Sequence, residues 1–181
     1  METCLTTGRL VLRRFTGDEA DDLFALHNDP DVMRYLNGGR PIPREVIVRD
    51  TLPAFVRSGF FAAVERSAGG FAGWFHLRVP EGGAPDEPEL GYRLHKAFWG
   101  MGYATEGSLA LIDRAFRELG ARRVFARTMA VNLGSRRVME KCGLRHVRTF
   151  FEDWPDVIEG SEQGEVEYEL LRGDWAAGHP A

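Results

Sequence analysis

The stretch Glu89 to Glu106, ELGYRLHKAFWGMGYATE, constrains this chain more than any other, because it joins a strand to a helix through a turn that carries two glycines. Glu89 to His95 has the pattern of a half-buried strand. After the turn, Leu109, Ile112, Phe116 and Leu119 recur at helical spacing until Gly120 supplies a C-cap. A helix N-terminus presents unpaired N–H groups and a partial positive charge, and the missing side chains at Gly100 and Gly102 let an anion approach them closely. A pyrophosphate suits such a place, which points to a nucleotide-like cofactor. Two glycines also make an ordinary strand-to-helix turn, so the rest of the chain has to decide between the two readings.

At 181 residues the chain suits one domain over 1–181 and can bury roughly 70% of its unfolded surface. The 23 basic and 27 acidic residues leave a net charge of −4, which argues against general affinity for nucleic acid. Cys4 and Cys142 suggest neither a disulfide framework nor a zinc site, and His27, His76, His95, His146 and His179 lack metal-ligand spacing. No metal is expected. With no basic leader and no run of ~20 apolar residues, the expectation is a soluble, cytoplasmic protein without a membrane partner.

Along the chain, Arg9 to Phe15 reads as a strand, followed by Thr16-Gly17-Asp18-Glu19 as a capping segment whose acids, with Asp21 and Asp22, form a solvated first helical turn. Asp29-Pro30 starts a second short helix that Asn37-Gly38-Gly39 ends, and Pro43 opens a third that Pro53 should kink or stop. Phe60 to Glu65 and Phe71 to Val79 flank Ser67-Ala68-Gly69-Gly70 as a hairpin. Residues 80–88 read as a surface linker and 176–181 as a flexible tail. Arg123 to Val131, Leu144 to Phe151 and Glu165 to Leu171 are further strands, with a helix capped by Asn132 between the first two. The sum is a mixed α+β fold with about seven strands and flanking helices.

The glycine turn, together with Asn132-Leu133-Gly134-Ser135 and Glu140-Lys141-Cys142-Gly143-Leu144, resembles the GCN5-related N-acetyltransferase (GNAT) superfamily, and within it the RimJ/RimL-type branch. Arg9-Leu10-Val11-Leu12-Arg13, Val32-Met33-Arg34-Tyr35 and Val166 to Leu171 with Asp174-Trp175 extend the resemblance over nearly the whole chain. The resemblance implies a mostly antiparallel seven-stranded sheet splayed at its central strands, with the pantetheine arm of acetyl-CoA in the gap. Carried over by position, Tyr92, Arg93 and Leu94 would line the arm, and Trp99, Gly100, Met101, Gly102, Tyr103 and Ala104 would surround the pyrophosphate. Asn132 and Ser135 occupy positions near the arm and the thioester sulfur. Arg136, Arg137 and Lys141 are candidates for the ribose phosphate, although basic residues late in a helix also suit its dipole. Trp99 stands where the superfamily often has Arg or Gln.

Acetyl transfer to an amine requires a neutral nucleophile and hence a base. Glu89 stands where RimJ/RimL-type enzymes carry a glutamate proposed for that role; its other reading is a solvated acid continuing Asp86-Glu87. A backbone N–H near Leu94 can serve the oxyanion. Many relatives protonate the leaving thiolate with a tyrosine where this chain has Met139, which leaves Ser135 as the catalytic candidate. Glu106, in the first turn after the glycines, reads as a structural complement to the helix dipole, His95 as a group able to assist proton movement, and Phe24, Tyr35 and Trp74 as packing or acceptor-pocket walls. The expected activity is direct acetyl transfer from acetyl-CoA to a primary amine, on a peptide or a small molecule. The alternatives are a non-catalytic CoA-binding sensor and an aminoglycoside-type acetyltransferase. Whether the protein acts as a homodimer is left open by the sequence.

Overall fold

The computed structural model describes residues 3–36, 39–152 and 157–178. Among them, eight strands form one sheet in the order β1-β2-β3-β4-β5-β6-β8-β7. The strands are β1 (Thr3–Thr6), β2 (Leu10–Arg14), β3 (Phe60–Glu65), β4 (Phe71–Arg78), β5 (Glu89–Leu94), β6 (Arg123–Met129), β7 (Arg145–Phe150) and β8 (Glu165–Leu171). The sequence predicts seven. The added one, β1, has four residues, too few to show an alternation, and pairs antiparallel with β2 at the sheet edge.

All neighbouring strands are antiparallel except β5 and β6, which are parallel and meet in register only at Glu89 and Phe125. On its other side β5 is paired with β4 along its full length, from Arg78 opposite Glu89 to Gly73 opposite Leu94. The central sheet is therefore joined at the start of β5 and open beyond it, which is the splay that the resemblance implies.

Side-chain alternation sorts the sheet into two faces. Phe75, Leu77, Leu90 and Leu94 enter the larger core beneath helix α5 (Tyr103–Arg117, numbering helices by chain order). The helix buries Gly107, Ser108, Leu111, Ile112, Ala115 and Phe116. Its inward stripe differs from the one read from sequence: Leu109 and Leu119 are 43% and 56% exposed. Gly107, Ser108 and Ala115 share the seam with Leu111, Ile112 and Phe116, and such small residues leave little apolar mark in a sequence. A Cβ on Gly107 would lie 2.3 Å from Cζ of the fully buried Phe75, so the absence of that carbon sets how closely α5 approaches the sheet.

The opposite face carries Trp74 into a second core with Phe15, with Leu23 and Leu26 of α1 (Ala20–His27), Val32 of α2 (Pro30–Met33), Ile47 just after α3 (Arg44–Val46), and Phe55 of α4 (Leu52–Arg57). Asp29 caps α2 by accepting from the Asp31 amide at 2.9 Å, with Pro30 at its first position. Asn37 and Gly38, read from sequence as part of its end, lie outside the described residues. Pro53 does not end the third helical stretch. A π-helical turn, Ile47–Thr51, links α3 to α4, the Leu52 amide reaches back five residues to the Ile47 carbonyl, and Pro53 falls in the first turn of α4.

One acidic residue departs from its sequence reading. Glu19 is 2% exposed, and its carboxylate accepts from the Thr16 amide and hydroxyl (both 3.1 Å), the Gly17 amide (3.1 Å) and Arg13 Nη1 (2.5 Å). It returns the chain onto itself before α1, as the second half of a capping box does. After β6 come α6 (Leu133–Lys141), β7 and β8, and a short α7 (Arg172–Gly178) occupies part of the segment read as a flexible tail.

Candidate active site

The turn between β5 and α5 has the form of an anion cradle. Lys96–Phe98 make one 3-10 turn, after which Gly100 (φ 71°) and Gly102 (φ 85°) take left-handed conformations, Gly102 as the N-cap of α5. Among the described residues the amides of 100–105 make no short, well-aligned bond to a backbone carbonyl, the first return bond of that kind being from Glu106 to the Gly102 carbonyl at 3.0 Å. A Cβ at Gly100 would meet nothing within 4 Å, so the approach to these donors is open. A set of unanswered N–H groups at a helix N-terminus is what a diphosphate requires.

A clamp not legible from sequence holds the cradle. Glu106 accepts from the Thr7 hydroxyl (2.6 Å), the Arg9 amide (2.7 Å) and Arg9 Nε (2.7 Å). Arg9 Nη1 in turn donates to the Met101 carbonyl at 2.8 Å, and its guanidinium lies 4.2 Å from the Tyr103 ring centroid. The glutamate is thus structural, as the sequence suggests, but it acts by pinning the turn to β2 more than by sitting in the helix dipole. Burial alone would raise its pKa; the donors from Thr7 and Arg9 outweigh burial and hold it below 4.5. A carboxylate with a depressed folded-state pKa contributes stability above its unfolded value and loses it as the pH falls through the folded one. Glu106→Gln is therefore expected to cost about 1–2 kcal/mol at pH 7. In thermal melts the gap to wild type should narrow on acidification below pH 4.5.

Trp99 has a defined role where the sequence left a departure. Its Nε1 donates to the Leu94 carbonyl at 2.8 Å while the ring is 45% exposed, so the indole ties the end of β5 to the turn. The His95 amide donates to Ala72, at the start of β4, at 2.9 Å. Because successive residues of a strand direct their N–H groups to opposite neighbours, the amides of Leu94 and Tyr92 are directed towards β6, where the partner strand has diverged. Those backbone groups are available to an amide-bearing arm laid in the gap.

Across the gap, Asn132 caps α6: its Oδ1 accepts from the Ser135 amide at 3.2 Å and its Nδ2 donates to Thr128 Oγ1 at 3.1 Å. The Tyr92 hydroxyl donates to the Ser135 carbonyl at 3.0 Å and lies 3.0 Å from Ser135 Oγ. Burial pushes the phenol above its ordinary value, only partly offset by Ser135, so it stays protonated near neutrality. The sequence places Tyr92 along the arm; its hydroxyl coupling to Ser135 depends on β5 and α6 meeting in space and has no local sequence mark. Met139, which the resemblance sets at the position of a tyrosine in many relatives, is a core residue at 2% exposure.

Of the basic candidates, Arg136 is committed to the Tyr168 hydroxyl (3.1 Å) and the Ala130 carbonyl (2.9 Å). Arg137 and Lys141, four residues apart, share an exposed face of α6. Cys142 Sγ lies 3.8 Å from the Thr105 carbonyl, which sets the end of that helix beside the first turn of α5.

Glu89 stands where β5 and β6 still touch. Its Oε1 accepts from Arg127 Nε at 3.0 Å, and Oε2 has no partner among the described residues. On the same face are His76, Trp74 and Arg93. His76 is 9% exposed and lowered to about 4 chiefly by burial, and a Cβ on Gly91 would lie 2.1 Å from its Nε2, so Gly91 makes room for the imidazole. Trp74 Nε1 donates to His27 Nε2 at 3.2 Å, and His27, lowered to about 3 by burial, is neutral. His95 packs edge-on to Phe71. Its pKa is lowered by burial against the pull of Asp22 and Asp29. The helical face thus presents Glu89 with an ionic partner on one oxygen, neutral imidazoles, and the arginines Arg78 and Arg93. Among the described residues no cluster of His, Cys, Asp and Glu is arranged to hold a metal. No helix among them is long and apolar enough to cross a membrane.

A family model described as "Acetyltransferase (GNAT) domain" matches residues 9–145. The FsC-acetyl coenzyme A-N(2)-transacetylase of Aspergillus fumigatus is 36% identical over 181 residues, covering 94% of this chain and 77% of the relative. In fold, the chain is similar to an acetyltransferase (GNAT family) from Bacillus anthracis, with a TM-score of 0.81 at 22% identity over 93% of this chain and 98% of the other. It is also similar to the spermidine N-acetyltransferase of Vibrio cholerae solved with CoA and spermine, with a TM-score of 0.76 at 16% identity over 92% and 97%. The parted strands and the open amide cradle fit the cofactor that such a family uses. The chain belongs to the GNAT acetyltransferase family and is an N-acetyltransferase whose cofactor is acetyl-CoA.

Proposed function

We propose that the protein acetylates a primary amine on a small molecule by direct attack within a ternary complex, with Glu89 as the base and the Tyr92–Ser135 pair at the sulfur. The observation that carries this reading is the joint presence of a β5–β6 gap, donor groups on both its sides, and a carboxylate at its joined end. Bound acetyl-CoA supplies an activated thioester carbonyl. The chain supplies the rest. The amides of residues 100–105 hold the diphosphate, with Arg137 and Lys141 on the phosphorylated ribose. The Leu94 N–H, directed into the gap, stabilises negative charge on the carbonyl oxygen. Glu89 takes the ammonium proton through Oε2, directly or through water, and Ser135 Oγ donates a hydrogen bond to the departing sulfur once the Tyr92 hydroxyl turns its proton from the Ser135 carbonyl to Oγ.

The relative named for an N(2)-transacetylase supports a small-molecule amine ahead of a protein N-terminus. The assignment to the RimJ/RimL-type branch rests on the strand and turn motifs, and a cytoplasmic location on the composition. Steady-state kinetics and mass spectrometry over polyamines, amino acids, aminoglycosides and peptides test the reading. Intersecting initial-velocity lines and a product 42 Da heavier are expected from one acetyl added; a ping-pong pattern with an isolated acetyl-enzyme rules out direct transfer.

A further inference from the structure

Arg93 is an arginine without an answering charge. Elsewhere in the sheet, guanidinium groups that are mostly covered meet carboxylates: Arg13 meets Glu19 at 2.5 Å, Arg123 meets Glu167 and Glu169 at 2.6 Å, and Arg127 meets Glu89 at 3.0 Å. Arg93 meets none among the described residues. Its Nε is sealed from solvent and unpaired, its Nη1 lies 3.6 Å from Met33 Sδ, and its Cζ stands 5.1 Å from the Trp74 ring centroid. A thioether and an indole face are weak substitutes for the water it gave up, and burial lowers its pKa to about 10 without making it neutral at pH 7. His27 close by is uncharged, and Asp22 and Asp29 act on His95 instead.

The position of this cation is specific. Arg93 projects from β5 to the helical face, opposite Trp74, and the next residue is Leu94, whose amide is directed into the gap. An acceptor that reaches the gap from that face passes the guanidinium. Acetyl-CoA offers it no anion there, since the pantetheine arm is neutral and the diphosphate belongs on the amides of residues 100–105.

We propose that Arg93 receives the carboxylate of the acceptor, so that the preferred substrates are amines that also carry an acid, of the amino-acid type, and not polycations. The inference rests on the proposed acetyl transfer and names its substrate class. A bidentate guanidinium–carboxylate pair in a covered site gives both orientation and selectivity, and it would disfavour aminoglycosides and polyamines, which bring only positive charge.

The test compares ornithine, methionine, phenylalanine and glutamine with their carboxamides as acceptors, alongside spermine and an aminoglycoside. Wild type should favour the free acids by about 30-fold in kcat/KM. Arg93→Gln should erase that ratio, mainly through KM, and Arg93→Lys should keep part of it. If Arg93→Gln fails to fold by thermal melt, the wild-type ratio and Arg93→Lys decide. Carboxamides or polycations used as well as the acids, or a ratio unmoved by either variant, overturn the inference alone. Loss of acetyl-CoA binding in Arg93→Gln overturns it too and moves the residue to the cofactor. If wild type binds acetyl-CoA yet acetylates no amine in either panel, the proposed transfer falls, and this inference with it.

Discussion

Glu89→Gln should lower kcat by about 10²- to 10³-fold while leaving acetyl-CoA affinity within about twofold, as expected when a base is removed and the binding surface is kept. The amide keeps the shape of the carboxylate and an acceptor oxygen for Arg127 Nε, now at 3.0 Å, but has no basicity for an ammonium proton. The loss should fall on kcat, because the cradle and the gap lie along the chain beyond Glu89. The competing role for Glu89 is the ion pair itself. Arg127 lies opposite Glu167 in the register of β6 and β8, and Glu167 is in turn paired with Arg123 and with Arg148 on β7. A purely ionic role would show as a lower melting temperature with turnover intact at every pH, and that result removes Glu89 from the chemistry.

Gly102→Val should weaken acetyl-CoA binding about 100-fold, or ~2.8 kcal/mol. At φ 85° a β-branched residue is strained, and its Cβ would stand 3.4 Å from Arg9 Nη2, against the arm of the clamp that holds the Met101 carbonyl. Gly100→Val provides the contrast: φ 71° carries a similar backbone penalty, but the added Cβ meets nothing within 4 Å. A larger affinity loss at Gly102 than at Gly100, measured by calorimetry, attributes the effect to the clamp and not to backbone strain alone. Equal small losses would mean that the turn does not carry the diphosphate.

The parts of this fold that a sequence displays are those set by local rules. The Asp29-Pro30 start of α2, the Asn132 cap of α6, the hairpin around Gly69 and the left-handed glycines before α5 each satisfy a backbone need within a few residues, and each is where the pattern puts it. What the sequence hides is long-range. Glu106 is 97 residues from Arg9, and Tyr92 is 43 from Ser135, so neither contact leaves a spacing to read. Glu19 looks like one of a row of solvated acids until Arg13 on β2 is seen beside it. The α5 seam hides for another reason: Gly107 and Ser108 are inward because Phe75 needs the space, and small residues do not announce an apolar face. In the site, the two glycines and the end of β5 were legible, whereas the use of the Trp99 N–H on Leu94 and the unanswered charge of Arg93 required the sheet to be assembled.

A crystal structure of the protein with coenzyme A tests the central claim most directly. The account predicts the diphosphate within hydrogen-bonding distance of the amides of residues 100–105, and the pantetheine arm between β5 and β6 with its thiol near Ser135 Oγ. Coenzyme A bound at any other surface, or β5 and β6 closed against each other beyond Glu89 with the ligand excluded, would contradict it.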